Sequence, residues 1–303
     1  MEKLILKSQD NNLLKVNYSK CLNDENFLEL VNSLDIDSNI KMKYTSRLKE
    51  SAIEHSNCKS CKNFLGCQNN IKGYCLTPKV LENSISFIYK KCEYKEKIDK
   101  QNEYLKNIYF YEIPAMIKSA NFKNIYKDDR NRLEIIKKIK SFYDNYKDNK
   151  QVKGIYLNGN FGSGKSYLIA ALFNELAKLN YKSAIIYFPE FLRSLKAGFN
   201  HDGSEYKELF DNIKKVPLLL IDDIGAEKLT DWARDEILGS ILQYRMDFKL
   251  PTFFTSNLTI TELENHLQIN MSTSDKIKAR RIIERIKFLT EEVSLIGINR
   301  RSE

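Results

Sequence analysis

The most chemically specific stretch of the chain is Gly159-Asn160-Phe161-Gly162-Ser163-Gly164-Lys165-Ser166, which fits G-x-x-x-x-G-K-[ST]. Glycines there let backbone N–H groups curl around a phosphate, and the N-terminus of a following helix adds its partial positive charge. On this spacing Lys165 reaches the β- and γ-phosphates of ATP and the Ser166 hydroxyl ligates Mg²⁺. A second element, Val216-Pro-Leu-Leu-Leu-Ile-Asp222-Asp223, is an apolar run that ends in two carboxylates. Carboxylates at a buried strand tip are costly unless they serve a cation or an activated water. Asp222 is therefore assigned to Mg²⁺ and Asp223 to the attacking water. The third, Thr252-Phe-Phe-Thr-Ser-Asn257, ends in an uncharged amide suited to sense a γ-phosphate. Alone, the last two elements read as a helix cap and a turn. Beside a phosphate loop they support one another.

Two further groups carry possible chemistry. Within Lys276 to Lys287, helical spacing puts Arg281 and Arg285 on one face, while Ile282, Ile283 and Ile286 turn toward the core. Most such runs are solvated basic faces. In an oligomeric ATPase, however, an arginine of one subunit reaches the neighbour's γ-phosphate. All six cysteines (Cys21, Cys58, Cys61, Cys67, Cys75, Cys92) lie in the first 92 residues. In a cytosolic chain such clustering argues for metal or redox chemistry rather than disulfides.

These groups need elements to hold them. The 303 residues suggest two domains, and 42% hydrophobic with 29% charged residues is enough apolar material for a real core. No apolar stretch approaches the roughly 20 residues that cross a bilayer, and the first residues lack a signal-peptide core, so no membrane association and a cytoplasmic location are expected. The net charge of +9 is compatible with a polyanionic partner but does not establish one. From about Ile108 apolar runs alternate with helical periods, the pattern of an α/β domain around a parallel sheet. Strands are expected at 154–158, 184–188, 216–221, 252–256 and 293–296. Leu168, Leu172 and Leu176 mark one packed helical face. The preceding region is polar and helix-like, with a short stripe at Phe27-Leu28-Leu30-Val31 and almost no strand signal. The charged stretch that follows it reads as a helical or mobile linker.

The motif series is completed by Tyr187-Phe-Pro-Glu-Phe191, Leu220-Ile-Asp-Asp-Ile-Gly-Ala-Glu227, Trp232-Ala-Arg-Asp-Glu236, Ala279-Arg-Arg-Ile-Ile-Glu-Arg-Ile286 and Asn299-Arg300-Arg301. Over about residues 108–303 it resembles the AAA+ ATPases, and within them the bacterial replicative helicase loaders of the DnaI/DnaC type, closest to the DnaI branch. The resemblance implies an α/β fold: an AAA+ P-loop three-layer sandwich with a parallel sheet at 108–303. A small, mainly helical, zinc-binding helicase-interaction domain at 1–94 would precede it, with a linker at 95–107. It implies that Lys165 and Ser166 form Walker A, Asp222 and Asp223 Walker B, and Asn257 sensor 1. Arg285, with Arg281 beside it, looks like a finger acting in trans, and Arg300 is similar to sensor 2. Only 46 residues follow Asn257, too few for a strand plus the usual helical lid.

For the cysteine region the resemblance implies Zn²⁺ on Cys58, Cys61, Cys75 and Cys92. Cys75 stands where this branch has a histidine, and Cys67 is a fifth candidate. The implied function is ATP-dependent loading of the hexameric replicative DNA helicase onto single-stranded DNA during primosome assembly. Slow hydrolysis would act as a switch, with self-association through the AAA+ domain. Arg193 and Lys196 are candidates for a single-strand channel, or simply a solvated helix face. Other readings are a transposition-helper AAA+ ATPase, which would lack the cysteine region, and a small-molecule P-loop kinase, which leaves Asn257, Arg281 and Arg285 without a task. A zinc-dependent DNA-binding protein is a further alternative.

Overall fold

A computed structural model of the chain describes residues 2–127, 130–149, 151–199, 204–270 and 272–300. Arg301, quoted with the terminal motif, lies outside them. The fold divides into two compact units, Met1–Glu103 and Tyr104–Glu303.

The first unit begins with helices α1 (Glu2–Cys21), α2 (Glu25–Asn32), α3 (Ser38–Lys43) and α4 (Thr45–Ser60). Asp24 starts α2 by accepting the N–H groups of Asn26 (2.9 Å) and Phe27 (3.2 Å). Of the Phe27–Val31 stripe, Phe27 and Val31, one turn apart, are buried with Tyr18, Leu48 and Ala52, whereas Leu28 is exposed. An antiparallel hairpin follows, β1 (Tyr74–Leu81) and β2 (Ser84–Lys91), with Leu81 paired to Ser84. The near absence of strand signal is thereby corrected. Pro78 and Lys79 interrupt β1, and only Ile85 of β2 is buried, so neither strand shows a clean alternation. Side chains of α4 hold the hairpin instead. The buried Glu54 carboxylate accepts the Leu76 N–H at 2.6 Å and the Asn70 N–H at 3.2 Å, and Ser51 Oγ donates to the Leu76 carbonyl at 2.7 Å. Helix α5 (Glu93–Gln101) and a 3₁₀ turn (Glu103–Asn107) occupy the stretch read as a linker.

The second unit is built on six parallel strands: β3 (Ile108–Tyr111), β4 (Gly154–Gly159), β5 (Ser183–Tyr187), β6 (Leu218–Asp222), β7 (Thr252–Ser256) and β8 (Thr290–Leu295). Their order is β3-β5-β6-β7-β4-β8. β3 was not anticipated from sequence, and β8 starts three residues earlier than the expected strand. Helices α6 (Ala115–Lys118) and α7 (Arg130–Asp148) precede β4, and α8 (Lys165–Lys178), α9 (Phe188–Phe199) and α10 (Ser204–Lys215) follow in turn. A π-helical segment, Trp232–Leu238, leads into α11 (Gly239–Asp247), and α12 (Ile260–His266) and α13 (Thr273–Leu289) lie between β7 and β8. Among the described residues no helix follows β8.

Both faces of the sheet are covered, so the inner strands β5, β6, β7 and β4 are buried on both sides, whereas the edge strands β3 and β8 keep exposed residues such as Tyr109 and Glu291. Ile186, Leu219, Ile221 and Phe254 pack on one face with Phe191, Ile241 and Ile283. Ile185, Leu218, Leu220 and Phe253 pack on the other with Ile139 and with Leu168, Leu172 and Leu176 of α8. Arg245 ties the near ends of β6 and β7 together. Fully buried, its guanidinium donates to the carbonyls of Val216 and Pro251 and to Thr252 Oγ1, each at 2.7 Å, and at 3.3 Å to those of Lys214 and Pro217. Burial pulls its pKa down to about 9, which still leaves it charged at neutral pH. Arg245→Met would strand this group of buried acceptors and cost about 3 kcal/mol of stability. Chemical denaturation measures this, and a loss below about 1 kcal/mol contradicts that role for Arg245.

Candidate functional site

Because all six strands are parallel, their carboxyl ends share one edge, where ligands bind in open α/β sheets. The loop of 159–166 leaves β4 at that edge. Gly159 (φ 145°) leaves no room for a Cβ, which would fall 2.0 Å from the Leu295 carbonyl oxygen at the end of β8. At Gly162 (φ 71°) a Cβ would fall 1.8 Å from Asn299 Oδ1. The chain after β8 thus crosses the loop, and the Arg300 N–H donates to the Gly162 carbonyl at 2.9 Å.

Lys165 opens α8 and is buried. Its ammonium donates to the carbonyls of Gly159 (2.8 Å) and Asn160 (2.9 Å) and to Asn257 Oδ1 (2.8 Å). The Asn257 amide also donates to Asp223 Oδ1 at 3.3 Å, so one side chain joins the loop lysine to a strand-tip carboxylate. Asp223 adopts φ 60°, a left-handed conformation that Asp tolerates better than most residues. Asp222 is buried, and burial raises its pKa. Hydrogen bonds from Ser166 and Thr255 and the charge of Lys165 oppose that rise, while Asp223 adds to it. Thr255 Oγ1 donates to Asp222 Oδ1 at 2.6 Å and accepts the Asp223 N–H at 2.9 Å.

A cavity of about 880 Å³ brings Phe161, Gly162, Gly164, Lys165, Ser166, Asp222, Asp223, Asn257 and Arg300 together. Its other wall is apolar, from Ile117, Ile125, Tyr126 and Tyr167, and the Arg300 guanidinium lies 4.2 Å from the centroid of the Tyr126 ring. Gly159, Asn160 and Ser163 shape the loop behind the lining. Arg281 and Arg285 are not part of it. Arg281 is exposed on α13, and half-buried Arg285 donates to the Gly239 carbonyl at 3.1 Å, its pKa lowered by burial first and Arg281 second. Arg193 pairs with Glu190 on its own helix at 2.5 Å, and Lys196 is exposed.

Sequence reasoning missed Thr255, Arg132 and the Tyr126 wall. Thr255 had a signal, because it lies two residues before Asn257 on a strand with period 2. Neither Arg132 nor Tyr126 belongs to any motif.

In the first unit, a separate cavity of about 270 Å³ is lined by Cys58, Cys61, Cys67 and Cys92. Cys75, expected as a ligand, is not in that lining. It is buried against Cys58, and burial, followed by that neighbour, pushes its thiol up to about 12. Among the described residues no three His, Cys, Asp or Glu side chains stand in an arrangement that would hold a metal ion.

Comparison with known proteins decides the family. The family model described as IstB-like ATP binding protein matches residues 99–301. The chain belongs to this family. It is 38% identical over 272 residues to the replicative helicase loader DnaI of Bacillus subtilis (strain 168), covering 88% of this chain and 85% of that protein. An alignment that long cannot fit within Tyr104–Glu303, so it includes much of the first unit. Among solved structures, one of DnaI is similar with a TM-score of 0.57 and 42% identity, over 66% of this chain and all of that one. The structure named as that of a "putative primosome component" from Streptococcus pyogenes serotype M3 gives 0.56 and 33%, over 67% of this chain and all of that one. The chain is thus of the DnaI/DnaC loader type, with an ATP-binding AAA+ fold, and the general ATPase assignment holds. The transposition-helper and kinase readings are not favoured.

The Thr255 hydrogen bond stabilises ionised Asp222, and ionisation increases as pH rises. In Thr255→Val the acid limb of ATP binding in magnesium buffer should therefore shift to higher pH. Calorimetric titrations across the acid range measure it, and superimposable limbs contradict the role given to Thr255.

Proposed function

We propose that the protein is an ATP-dependent loader of the replicative DNA helicase onto single-stranded DNA. The convergence of Lys165, Ser166, Asp222 and Asn257 on one cavity, in a chain related to DnaI across both units, carries this reading. The loop N–H groups and the amino end of α8 receive the β- and γ-phosphates, and Lys165 exchanges its carbonyl partners for phosphate oxygens. Ser166 and Asp222 are placed to hold Mg²⁺, which when bound neutralises charge developing on the phosphates. Asp223 orients the attacking water, held by Asn257, whose amide links that carboxylate to Lys165. The aromatic and aliphatic wall takes the base, and Arg300 reaches the nucleotide from the crossing segment.

In this reading exposed Arg281, with Arg285 beside it, serves the neighbouring copy's γ-phosphate, and hydrolysis depends on self-association. Turnover is slow, and ATP acts chiefly as a switch on partner affinity. The first unit grips the hexameric helicase in the cytoplasm. It carries a structural Zn²⁺ on Cys58, Cys61 and two of Cys67, Cys75 and Cys92. Four thiols lining one cavity, with Cys75 against Cys58 beside them, support that donor set.

Lys165→Ala should weaken ATP binding by at least about tenfold and reduce helicase loading to the level seen without ATP. Purified helicase, single-stranded DNA and a footprint of loaded rings provide the assay, and wild-type loading by the variant refutes the mechanism. Structural zinc contributes about 10 to 16 kcal/mol to small folds, so a chelator should unfold the first unit. Elemental analysis should find one zinc per chain, and the absence of metal together with an unchanged circular dichroism spectrum rules the zinc out.

A further inference from the structure

Helix α7 buries Arg132, Ile135, Ile139, Phe142 and Tyr146 as one stripe, and the first member of that stripe is a cation where an aliphatic residue would pack. Arg132 is 3% exposed, and its Nη2 donates a short hydrogen bond to the Ser163 carbonyl. Nη1 and Nη2 stand 3.5 and 3.7 Å from where a Cβ on Gly164 would be, so the guanidinium lies in contact range of the phosphate loop just before Lys165. It also lines the same cavity as Lys165, Ser166 and Asp222.

A carbonyl within a phosphate loop repels an anion if it points inward. Held by Arg132, the Ser163 carbonyl points toward α7. The guanidinium is permanently charged and brings a rigid fork of donors, and in a low-dielectric wall its field on a nearby triphosphate is weakly screened.

We propose that Arg132 is a positioning residue for triphosphate binding, one that turns the Ser163 carbonyl outward and places a further fixed positive charge, besides Lys165 and Arg300, beside the phosphates. This rests on the nucleotide reading above. No part of the G-x-x-x-x-G-K-[ST] pattern contains it, since it comes from a helix more than twenty residues earlier in the chain.

The test compares full-length wild type, Arg132→Gln and Arg132→Lys by calorimetric titration with ATP, ADP and AMP in magnesium buffer, with a thermal melt of each protein alone. Arg132→Gln should weaken ATP by about tenfold or more, ADP less and AMP least, because the missing interaction is with phosphate charge. Arg132→Lys, which keeps the charge and loses the fork, should fall between Arg132→Gln and the wild type. Unchanged ATP affinity in Arg132→Gln overturns the proposal, as does an equal loss for all three nucleotides, the signature of a loop that has merely collapsed. If the melt shows Arg132→Gln unfolded, Arg132→Lys decides: a loss larger for ATP than for AMP supports the proposal, and no loss overturns it. A wild type that binds no ATP would refute the nucleotide reading itself, a result separable from any of these.

Discussion

The carboxylate of Asp222 is buried at the end of an apolar strand, and the hydrogen bonds of the site are arranged around that burial. Desolvation pushes its pKa up, and hydrogen bonds from Ser166 and then Thr255, with the charge of Lys165, push back. A charge that deep is tolerable only when its lone pairs are occupied or a cation is close. The Thr255 hydroxyl meets both demands of the turn, since it donates to Asp222 and accepts the N–H of Asp223. The left-handed backbone at Asp223 follows directly after this clamp, and it gives two adjacent carboxylates different surroundings.

Strand order makes the clamp possible. β7 lies between β6, which ends in the carboxylates, and β4, which leads into the phosphate loop. Its last residues therefore reach both neighbours, Thr255 toward β6 and Asn257 toward Lys165. Asn257 acts as a conductor between the lysine that would meet phosphate and the carboxylate that would meet water. The segment after β8 closes the other side, with Asn299 against Gly162 and Arg300 over Tyr126. Helix α7 contributes a buried guanidinium behind the loop.

Much of this was legible. The loop, the two carboxylates and Asn257 were marked by residue type and spacing, because phosphate binding demands glycines and a lysine in a fixed order. The five strands expected from apolar runs all form. Three things were hidden. β3 is four residues long, with Ile108 buried and Tyr109 exposed, too short to show a period. The hairpin of the first unit is secured by Glu54 and Ser51 on a helix some twenty residues earlier in sequence, so its own residues carry little pattern. The cysteines were recognisable as a group, but which of them share a cavity depends on how that hairpin returns to α4.

By itself the sequence determined which chemical groups the protein owns and the local frame of the phosphate loop, since glycine positions, strand tips and helical faces follow from short-range sterics and periodicity. Tertiary structure alone decided who stands beside whom. Thr255 under Asp222, Arg132 behind Ser163, Tyr126 beneath Arg300 and Cys67 beside Cys92 are neighbours across the fold or across long stretches of chain. Their proximity depends on strand order and helix packing, which no local pattern of residue types encodes.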